Sequence, residues 1–260
     1  MTNVDLDPQT NSRRVVVLGA SNVTLGLPTI VHHVRSGFTG PLQMDIADGH
    51  GRSYGDWTSV LFRRVPGHHE GAVPDFESHH QKHALLTDIG NDLVYGTDAG
   101  QIAAWVSDVA HRFADVGAEL TMTGLPLASV HSLSKNRFRF FRTLFFPSSP
   151  LRYDGLISKV EELDARIKEI AIDVGAAKVD PEAEWYGLDP IHIRRSDRSA
   201  AWTHVLKSWH SWEPRETRDL SLLTKIRLWR SKPQQRQLLG KLRCHQQVVR
   251  LDHETTIRFF

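Results

Sequence analysis

Apolar positions along the chain form short continuous runs, separated by longer stretches with helical spacing. Such runs, rich in β-branched residues and ending at glycine or polar residues, are typical of strands buried on both faces of a parallel sheet. The pattern predicts five strands of this kind, at 15–18, 42–46, 84–89, 120–124 and 177–180.

Three stretches between these strands have the spacing of amphipathic helices. In 101–116, the apolar residues share one helix face, and Gly117 follows as a stop signal. The other two helices are predicted at 25–34, where Pro28 is tolerated in the first turn, and at 156–171. Strands that alternate with helices predict an α/β protein: a sandwich around a mostly parallel five-stranded sheet with right-handed crossovers.

Two segments interrupt this alternation. Residues 66–83 contain proline, glycine and five histidines, and they predict a loop or a short helix. Residues 131–153 form an insertion after the fourth strand, and its part 135–146 carries four basic residues and five phenylalanines. Neither segment belongs to an internal repeat or a low-complexity tract.

The length of 260 residues fits one large domain with an appendage, and the charge distribution indicates where the appendage begins. Residues 1–210 carry 21 Lys and Arg against 25 Asp and Glu, whereas residues 211–260 carry 11 against 5. We therefore predict a disordered segment 1–13, a domain 14–210 and a basic C-terminal extension 211–260. One or two helices are predicted in the extension, with Leu220, Leu223, Ile226, Leu228 and Trp229 as apolar anchors.

The single cysteine, Cys244, excludes an intrachain disulfide and a cysteine-based zinc site. Residues 1–14 lack the apolar core of a signal peptide, and no run approaches the roughly 20 apolar residues that span a bilayer. These features favour a soluble protein in a reducing compartment, and we expect a cytoplasmic location.

Polar residues follow four of the predicted strands, at the ends where open parallel sheets bind their ligands. Gly-Ala-Ser-Asn occupies 19–22, a glycine-rich turn occupies 48–56, Gly-Asn-Asp occupies 90–92, and Asp-Pro-Ile-His occupies 189–192. Together they supply a hydroxyl, backbone amides, a side-chain amide and an Asp/His pair. These are the groups that an acyl-transfer site requires.

Ser21 becomes a nucleophile only if an imidazole accepts its proton, and Asp189, three residues before His192, can fix the tautomer of that imidazole. A tetrahedral intermediate also needs N–H donors for its negative oxygen. The amides of Ser21 and Gly55 and the side-chain NH2 of Asn91 are the predicted donors, with Gly51 as second choice. Loss of one such donor typically lowers turnover by ~100- to 1000-fold.

The four blocks, in this order, resemble those of the SGNH hydrolases, the superfamily of the GDSL esterases and lipases. The resemblance covers about residues 14–210 and implies a flavodoxin-like three-layer fold. It also implies Ser21 as nucleophile, His192 as base, Asp189 as its orienting group, and an oxyanion hole of Ser21, Gly55 and Asn91, with no metal and no cofactor. The chain departs from the family at Ala20, where an aspartate usually precedes the serine, so the bonds that hold the nucleophile turn are expected to differ.

Each of these residues also has a simpler interpretation. Ser21 can cap the following helix, His192 can be structural, and Asn91 and Asp92 can close a turn. Metal binding is conceivable for the histidines of the segment 66–83, but a solvated polar loop is favoured because matching acidic residues are missing. The five are His68, His69, His79, His80 and His83.

The segment 135–146 has three interpretations: a surface excursion, a lid over the site, or a helix on a membrane surface. We hypothesise the lid, with phenylalanines binding an acyl chain and arginines binding an anionic head group, and a peripheral lipid contact stays open. The predicted substrate-binding residues are Asn22, Arg137, Phe138, Arg139, Phe141 and Arg142.

The function that accounts for most of these features is hydrolysis of a small-molecule ester through an acyl-enzyme. An O-acyltransferase would use the same groups. Two other classes remain open: a nucleotide-binding module, suggested by the glycine-rich turn after the first strand, and a catalytically silent scaffold. We expect no nucleic-acid partner, because no stacking-aromatic platform accompanies the basic residues, and the partner of the basic extension is unknown.

Overall fold

The computed structural model describes residues 12–60, 63–71, 81–147 and 149–260. Seven strands in the described part form the central sheet, in the spatial order β10-β11-β2-β1-β5-β6-β7. Their bounds are β1 Arg13–Leu18, β2 Leu42–Ala47, β5 Gln81–Leu86, β6 Glu119–Thr123, β7 Ala177–Val179, β10 Val248–Arg250 and β11 Thr255–Phe259.

A second, smaller sheet contains four strands in the order β3-β4-β8-β9, all antiparallel. The strands are β3 Thr58–Val60, β4 Arg63–Val65, β8 Gln235–Leu238 and β9 Lys241–Cys244. The helices are α1 Ser21–Gly37, α2 His68–Gly71, α3 Asn91–Val94, α4 Ala99–Asp115, α5 Leu127–His131, α6 Lys135–Phe145, α7 Leu156–Asp173, α8 Arg198–Leu206 and α9 Leu222–Trp229.

The central sheet lies between two layers of helices, and alternate residues of its strands face opposite cores. In β1, Val15 and Val17 pack with α1 and α8, whereas Val16 and Leu18 pack with α4 and α7. All neighbouring strands of this sheet are parallel except the pair of β10 and β11, which is antiparallel. The predicted α/β class with a mostly parallel sheet is confirmed, with seven strands in place of five.

The two additional strands come from the basic extension, for which helices alone were predicted. It contains one helix, α9, and four short strands, and of the five predicted anchors only Leu228 is buried. In β11, burial alternates along the chain at Thr255, Ile257 and Phe259, which is the period of a strand. The helical prediction was wrong here because three or four alternating residues are too few to dominate a pattern rich in Lys, Arg and Leu.

Buried charges join the extension to the body of the sheet. The Asp45 carboxylate on β2 is fully buried and accepts hydrogen bonds from Arg14 on β1, at 2.6 Å, and from Arg258 on β11, at 2.7 Å. A buried carboxylate that lost these partners would destabilise the fold strongly. Arg35 on α1 makes two further ion pairs, with Asp252 and Glu254, each at 2.9 Å.

At the other end of the chain, residues 1–11 lie outside the described part, so the prediction of disorder there is not tested. Arg13 is the first residue of β1 and pairs with Leu42 and Gln81, so the ordered sheet begins inside the segment 1–13. No helix in the described part is both long and apolar enough to cross a membrane.

Candidate active site

Ser21 is the first residue of α1 and lies directly beyond the carboxyl end of β1. A Cβ at Gly19 would come within 2.4 Å of the Val23 side chain and 2.8 Å of the Thr87 side chain, so the close packing between β1 and α1 leaves no room for a side chain here. Ala20, and not Ser21, occupies the helix cap position, and the Ala20 side chain makes no capping hydrogen bond. The helix-cap interpretation of Ser21 therefore does not apply, and its hydroxyl has another partner.

That partner is His192, whose Nε2 lies 2.9 Å from Ser21 Oγ. On the other side of the ring, Nδ1 lies 2.6 Å from Asp189 Oδ2. A carboxylate at Nδ1 keeps the proton on that nitrogen and leaves the Nε2 lone pair facing the serine hydroxyl. The geometry is that of a nucleophile, a general base and an orienting acid in series.

The Asp189–His192 segment forms its own local turn. Asp189 Oδ1 accepts the N–H groups of Ile191, at 3.0 Å, and of His192, at 3.2 Å. An aspartate at the start of a turn commonly accepts the N–H groups two and three residues further along the chain. Burial opposes the charge on Asp189, but the hydrogen bonds from His192 and from these two amides outweigh it, so its pKa is lowered. The carboxylate is therefore ionised wherever the site operates near neutral pH.

Asp88, which the sequence analysis did not single out, braces the nucleophile turn. Its Oδ2 accepts the N–H groups of Ala20, at 2.8 Å, and of Asn22, at 3.0 Å. Asp88 itself has φ of 58°, a left-handed conformation that aspartate tolerates better than most residues. A nucleotide-binding fold would hold a phosphate at the N-terminus of α1. The Asp88 carboxylate lies at this place and would repel a phosphate, which argues against the nucleotide-binding interpretation.

Asn22 was predicted to bind substrate, but its side chain connects two parts of the site. Its Nδ2 donates to Asp88 Oδ1, at 2.7 Å, and to the carbonyl oxygen of Ile191, at 2.9 Å. Its Oδ1 accepts the N–H of Ile193, at 2.9 Å. Every polar atom of the amide is thus occupied, and Asn22 holds the nucleophile turn against the loop that carries His192.

Asn91 lies at the start of α3, and its Nδ2 is buried without an acceptor among the described residues. It lines the same cavity as Ser21. A buried amide nitrogen without a partner is costly in a folded protein, and such groups are common where a substrate atom completes the hydrogen bond.

Gly55, the predicted glycine of the oxyanion hole, does not reach this cavity. Its N–H donates to Ser53 Oγ at 3.0 Å, and a Cβ added to it would lie 2.2 Å from the Trp105 ring. Gly51, the second choice, borders the open cleft together with Ser21 and His192. Gly51 has φ of 65°, and Tyr95 Oη donates to its carbonyl oxygen at 2.7 Å.

Asp92 supports the turn that contains Gly55. Its Oδ2 accepts the Tyr54 N–H at 2.8 Å, and burial raises its pKa to about 6. Tyr54 in turn donates its hydroxyl to the Thr87 carbonyl oxygen at 3.0 Å. Residues 53–55 of the glycine-rich turn are therefore buried and held against the third block, 90–92, by Asp92.

Two residues of the glycine-rich turn matter more than the sequence indicated. His50 lines the cleft beside His192, and burial, with a smaller effect of the nearby His192, lowers its pKa. Arg52 is fully buried and donates to the main-chain oxygens of Pro66, at 3.0 Å, and Phe260, at 2.5 Å. Burial lowers the Arg52 pKa to about 10. The sequence held one sign of this buried, hydrogen-bonding role: an arginine within a turn of small residues.

The segment 135–146 borders the site, but through other residues than predicted. The Phe145 ring meets the His192 ring edge to face, with 5.1 Å between centroids. Leu144 and Phe146 line the same cleft. The end of α6 and the residue after it thus form one wall of the active site.

The five residues predicted in this segment as substrate contacts lie elsewhere. Arg137 donates to the carbonyl oxygen of Leu188 at 2.7 Å, which holds the loop ahead of Asp189, and Arg142 donates to Leu151. Phe138 is buried in the core, Arg139 is exposed, and Phe141 stacks on Phe145. None of the five lines a cavity that contains Ser21. Within the segment 135–146, only residues 144–146, at the end of α6 and just after it, line the cleft, and the five predicted residues all come before them.

Two cavities meet at Ser21. The inner one has about 120 Å³ and is mostly apolar, with Ile89, Leu125, Val130 and Phe146 among its walls. The outer one is an open cleft of about 1090 Å³, and its walls include the cations Arg194, Arg195 and Arg198. Arg195 is exposed and has no hydrogen-bond or ion-pair partner among the described residues, whereas Arg194 pairs with Asp197 at 2.7 Å.

Two of the five histidines, His68 and His83, are buried and not solvated as predicted. His68 is buried, its Nε2 lies 3.0 Å from the Gly19 carbonyl oxygen, and burial lowers its pKa well below the usual value. His83 is buried on β5, and His69 pairs with Asp108. His79 and His80 lie outside the described residues. In the rest of the chain, no three His, Cys, Asp or Glu side chains are grouped to hold a metal ion.

No protein-family model matches the sequence, and no curated protein sequence matches it. The fold is similar to three solved structures. The psychrotrophic esterase EstA from Pseudoalteromonas sp., inhibited by monoethylphosphonate, is 11% identical with a TM-score of 0.48, and the match covers 75% of this chain and 95% of that one. A protein described as TesA is 14% identical with a TM-score of 0.49, and the match covers 75% of this chain and 97% of that one. A GDSL-like lipase from Bacteroides thetaiotaomicron is 13% identical with a TM-score of 0.44, and the match covers 76% of this chain and 86% of that one. All three TM-scores lie below 0.5, so the chemistry has to be inferred from the chain's own side chains.

Proposed function

We propose that the chain is a serine hydrolase that cleaves an ester through an acyl-enzyme. The observation that carries the proposal is the continuous series of hydrogen bonds from Ser21 Oγ through the His192 ring to Asp189. Their order and lengths suit transfer of the serine proton to imidazole at the moment of attack.

In the first half of the reaction, Ser21 Oγ attacks the ester carbonyl carbon while His192 Nε2 accepts its proton. The tetrahedral intermediate then collapses, and His192 returns the proton to the leaving alcohol. In the second half, a water molecule attacks the acyl carbon while His192 accepts its proton. His192 then gives this proton to Ser21 Oγ as the bond between the acyl carbon and Oγ breaks and the acid leaves. Asp189 stays ionised throughout and stabilises the imidazolium.

The oxyanion of the intermediate needs convergent donors. We assign this role to the Ser21 N–H, which lies in the first turn of α1 where intrahelical acceptors are absent, and to Asn91 Nδ2. Gly51, which borders the cleft, replaces Gly55 as the third donor in this proposal. The N-terminus of α1 adds a favourable dipole at the same place.

The two cavities suggest which half of the ester goes where. An apolar cavity of ~150 Å³ holds a molecule of the size of benzene, so about 120 Å³ suits a short acyl group. The open cleft would receive the alcohol portion, and its cations favour one that carries a negative charge. We therefore propose short-chain esters of an anionic alcohol as the substrate class.

A fluorophosphonate probe tests the nucleophile. We expect it to label the wild type and not Ser21→Ala, while Ser149→Ala, altered at another serine of the same cleft, keeps full labelling. Near-ultraviolet circular dichroism establishes that all three proteins are folded. Labelling that persists in Ser21→Ala, or that never appears in the wild type, contradicts the proposal.

Steady-state kinetics test the substrate class. Activity on p-nitrophenyl esters should decline once the acyl chain outgrows the inner cavity. Arg195→Ala should raise KM for an anionic ester roughly two- to fivefold and leave a neutral ester unaffected. Arg139→Ala, an equally exposed arginine that does not line the cleft, is the matched control. An equal effect on both esters would exclude a charge-based preference.

Transfer of the acyl group to an alcohol other than water would use the same residues. The volume of the outer cleft, about 1090 Å³, is the observation that favours this second candidate, because an acceptor would fit beside the acyl-enzyme. The two reactions are separated by adding an alcohol acceptor to the assay. A transferase forms new ester in proportion to acceptor, and a hydrolase continues to release free acid.

A further inference from the structure

The stretch 220–251 of the basic extension contains eight Lys and Arg residues and no Asp or Glu. It begins after Asp219 and ends before Asp252, so the absence of acids is confined to this part of the extension. Lys225 pairs with Asp219 at 2.8 Å, and the other seven cations have no ion-pair partner among the described residues. Unpaired cations attract polyanions, and this attraction is stronger at low ionic strength. The catalytic proposal makes no use of these cations.

At the centre of this stretch lies the hairpin of β8 and β9, residues 235–244, which we call the basic hairpin. Arg236, Lys241 and Arg243 lie on its two strands. Its tip is apolar: Leu238, Leu239 and Leu242 are exposed by 40%, 78% and 57%. The tip thus combines exposed leucines with flanking cations.

The fold does not require a leucine at position 239. The hairpin turns through two residues, Leu239 with φ of 50° and Gly240 with φ of 75°. A two-residue turn with both φ values positive favours Asn-Gly, and leucine is unfavourable there because its Cβ crowds the backbone. A leucine that is strained in the fold and almost fully in water gains nothing from packing within the chain.

We propose that the basic hairpin docks on an anionic membrane surface, with its leucines entering the interface and its cations contacting acidic head groups. This combination of apolar tip and flanking Lys and Arg is what binding at an anionic lipid interface requires. Nucleic acid would be attracted by the same charges, but its sites use stacking aromatics, and the basic hairpin has none. The inference is independent of the catalytic proposal.

The position of the basic hairpin relates docking to the cleft. Gln234, immediately before β8, donates its N–H to the carbonyl oxygen of Phe259, the last residue of β11, at 2.9 Å. Because β11 is parallel to β2 and β1, that end of β11 lies at the same edge of the sheet as Ser21. α6 ends at this edge too, and its Phe140 and Leu144 are exposed by 62% and 58%. Docking would therefore bring the edge that carries the cleft toward the membrane.

Co-sedimentation of the full chain with vesicles tests the proposal. We expect binding to vesicles of phosphatidylcholine with phosphatidylglycerol, and none to phosphatidylcholine alone. Leu239→Asn supplies the residue that the turn favours, so this variant should keep or raise the Tm while its vesicle binding falls several-fold. Lys241→Ser should weaken binding by roughly fivefold, as loss of one cation near an acidic surface does.

Ile172→Asn is the matched control, because Ile172 is exposed by 72% on α7, away from the basic hairpin, and its loss should leave vesicle binding unchanged. The proposal is overturned if the wild type does not bind acidic vesicles, or if Leu239→Asn binds them as tightly as the wild type. It is also overturned if the leucine proves to mediate self-association, seen as a dimer in light scattering that Leu239→Asn converts to monomer without any vesicle binding.

Discussion

Asp88 has a central place in the site although it touches no reacting atom. Ala20 occupies the position where the SGNH pattern has an aspartate, and Asp88, from the end of the neighbouring strand β5, accepts the Ala20 N–H instead. One carboxylate thereby holds both the turn before the nucleophile and the Asn22 side chain. A carboxylate at a helix N-terminus is favourable, so this brace also stabilises α1.

At this scale, Asn91 offers the most direct test of the oxyanion hole. Asn91→Ala removes a buried donor that has no partner in the protein, so the Tm should stay the same or rise. The kcat should fall by ~100- to 1000-fold, since the lost hydrogen bond forms only with the charged intermediate. Kinetics on a p-nitrophenyl ester with a parallel thermal melt measure both quantities. A fall in Tm with unchanged kcat would give Asn91 a structural role only.

The residues at strand ends were predictable because parallel strands bring their carboxyl ends to one edge. Ser21, Asn91 and the Asp189–His192 pair meet there as expected. The choice between Gly51 and Gly55 was not predictable. Both lie in one glycine-rich turn, but Gly51 borders the cleft, whereas Trp105, a residue of α4, fills the space beside Gly55. Local sequence does not indicate a contact with a helix 50 residues further along the chain.

Among the elements, α6 combines two roles along one short helix. Its early part is anchored by Phe138 in the core, and its last residue, Phe145, covers the His192 ring. Between them, Arg139 and Phe140 are exposed. Only the carboxyl end of the predicted lid therefore reaches the cleft.

Two phenylalanine substitutions separate these roles. Phe145→Ala should raise KM for apolar esters about three- to tenfold with little change in Tm, because the ring is 38% exposed and contacts the base. Phe138→Ala should lower the free energy of unfolding by ~3–5 kcal/mol and leave KM unchanged in the folded fraction. Steady-state kinetics and urea unfolding distinguish them. If Phe138→Ala changed KM and Phe145→Ala did not, the assignment along α6 would be reversed.

The five strands and three helices that the periodicity predicted before residue 210 are present, because each is either a buried run or a long amphipathic stripe. The shorter elements β3, β4, α2, α3 and α5 were not predicted. β8 to β11 were not. They contain three to five residues each, and two of their pairings join them to strands near the start of the chain. Local spacing carries no information about such distant partners, whereas the burial of Ile257 and Phe259 depends on them entirely.

For the molecule as a whole, His83 connects stability to pH from the edge of the sheet opposite Ser21. It is buried between Phe38 and Trp209, and its Nε2 approaches Ser211 Oγ at 2.8 Å and Glu119 at 3.3 Å. Burial lowers its pKa to about 4, and this effect outweighs the opposite influence of Glu119. The folded state therefore takes up its proton only at lower pH than the unfolded state does.

It follows that the contribution of His83 is fully present above pH ~6.5 and declines as the pH falls toward 4, where the unfolded chain binds the extra proton. His83→Gln keeps a hydrogen-bond donor for Ser211 but does not titrate. We expect the loss of stability between pH 6.5 and 4 to be smaller in this variant, as measured by urea unfolding at each pH. Parallel pH profiles of the two proteins would contradict the assignment.

The central sheet depends on the basic extension, and truncation measures that dependence. A chain ending at residue 247 lacks β10 and β11, exposes the edge of β2 and leaves Asp45 without Arg258. We expect this chain to lose its near-ultraviolet circular dichroism and its cooperative melt. Arg258→Met in the full chain should be milder, because Arg14 still pairs with Asp45. A truncated chain that melts cooperatively would show that residues 12–247 suffice.

The pairing of β11 with β2 also has a consequence for synthesis on the ribosome. Asp45 and Arg258 are 213 residues apart, and every residue of the proposed triad precedes β11 in the chain. A nascent polypeptide has therefore displayed its serine, histidine and aspartate to the cell well before β2 can acquire its neighbour. Until β11 has emerged, one edge of a strongly hydrophobic sheet stays open to chaperones and to other chains, so the synthesis of β11, and not that of the triad, determines when the sheet can be completed.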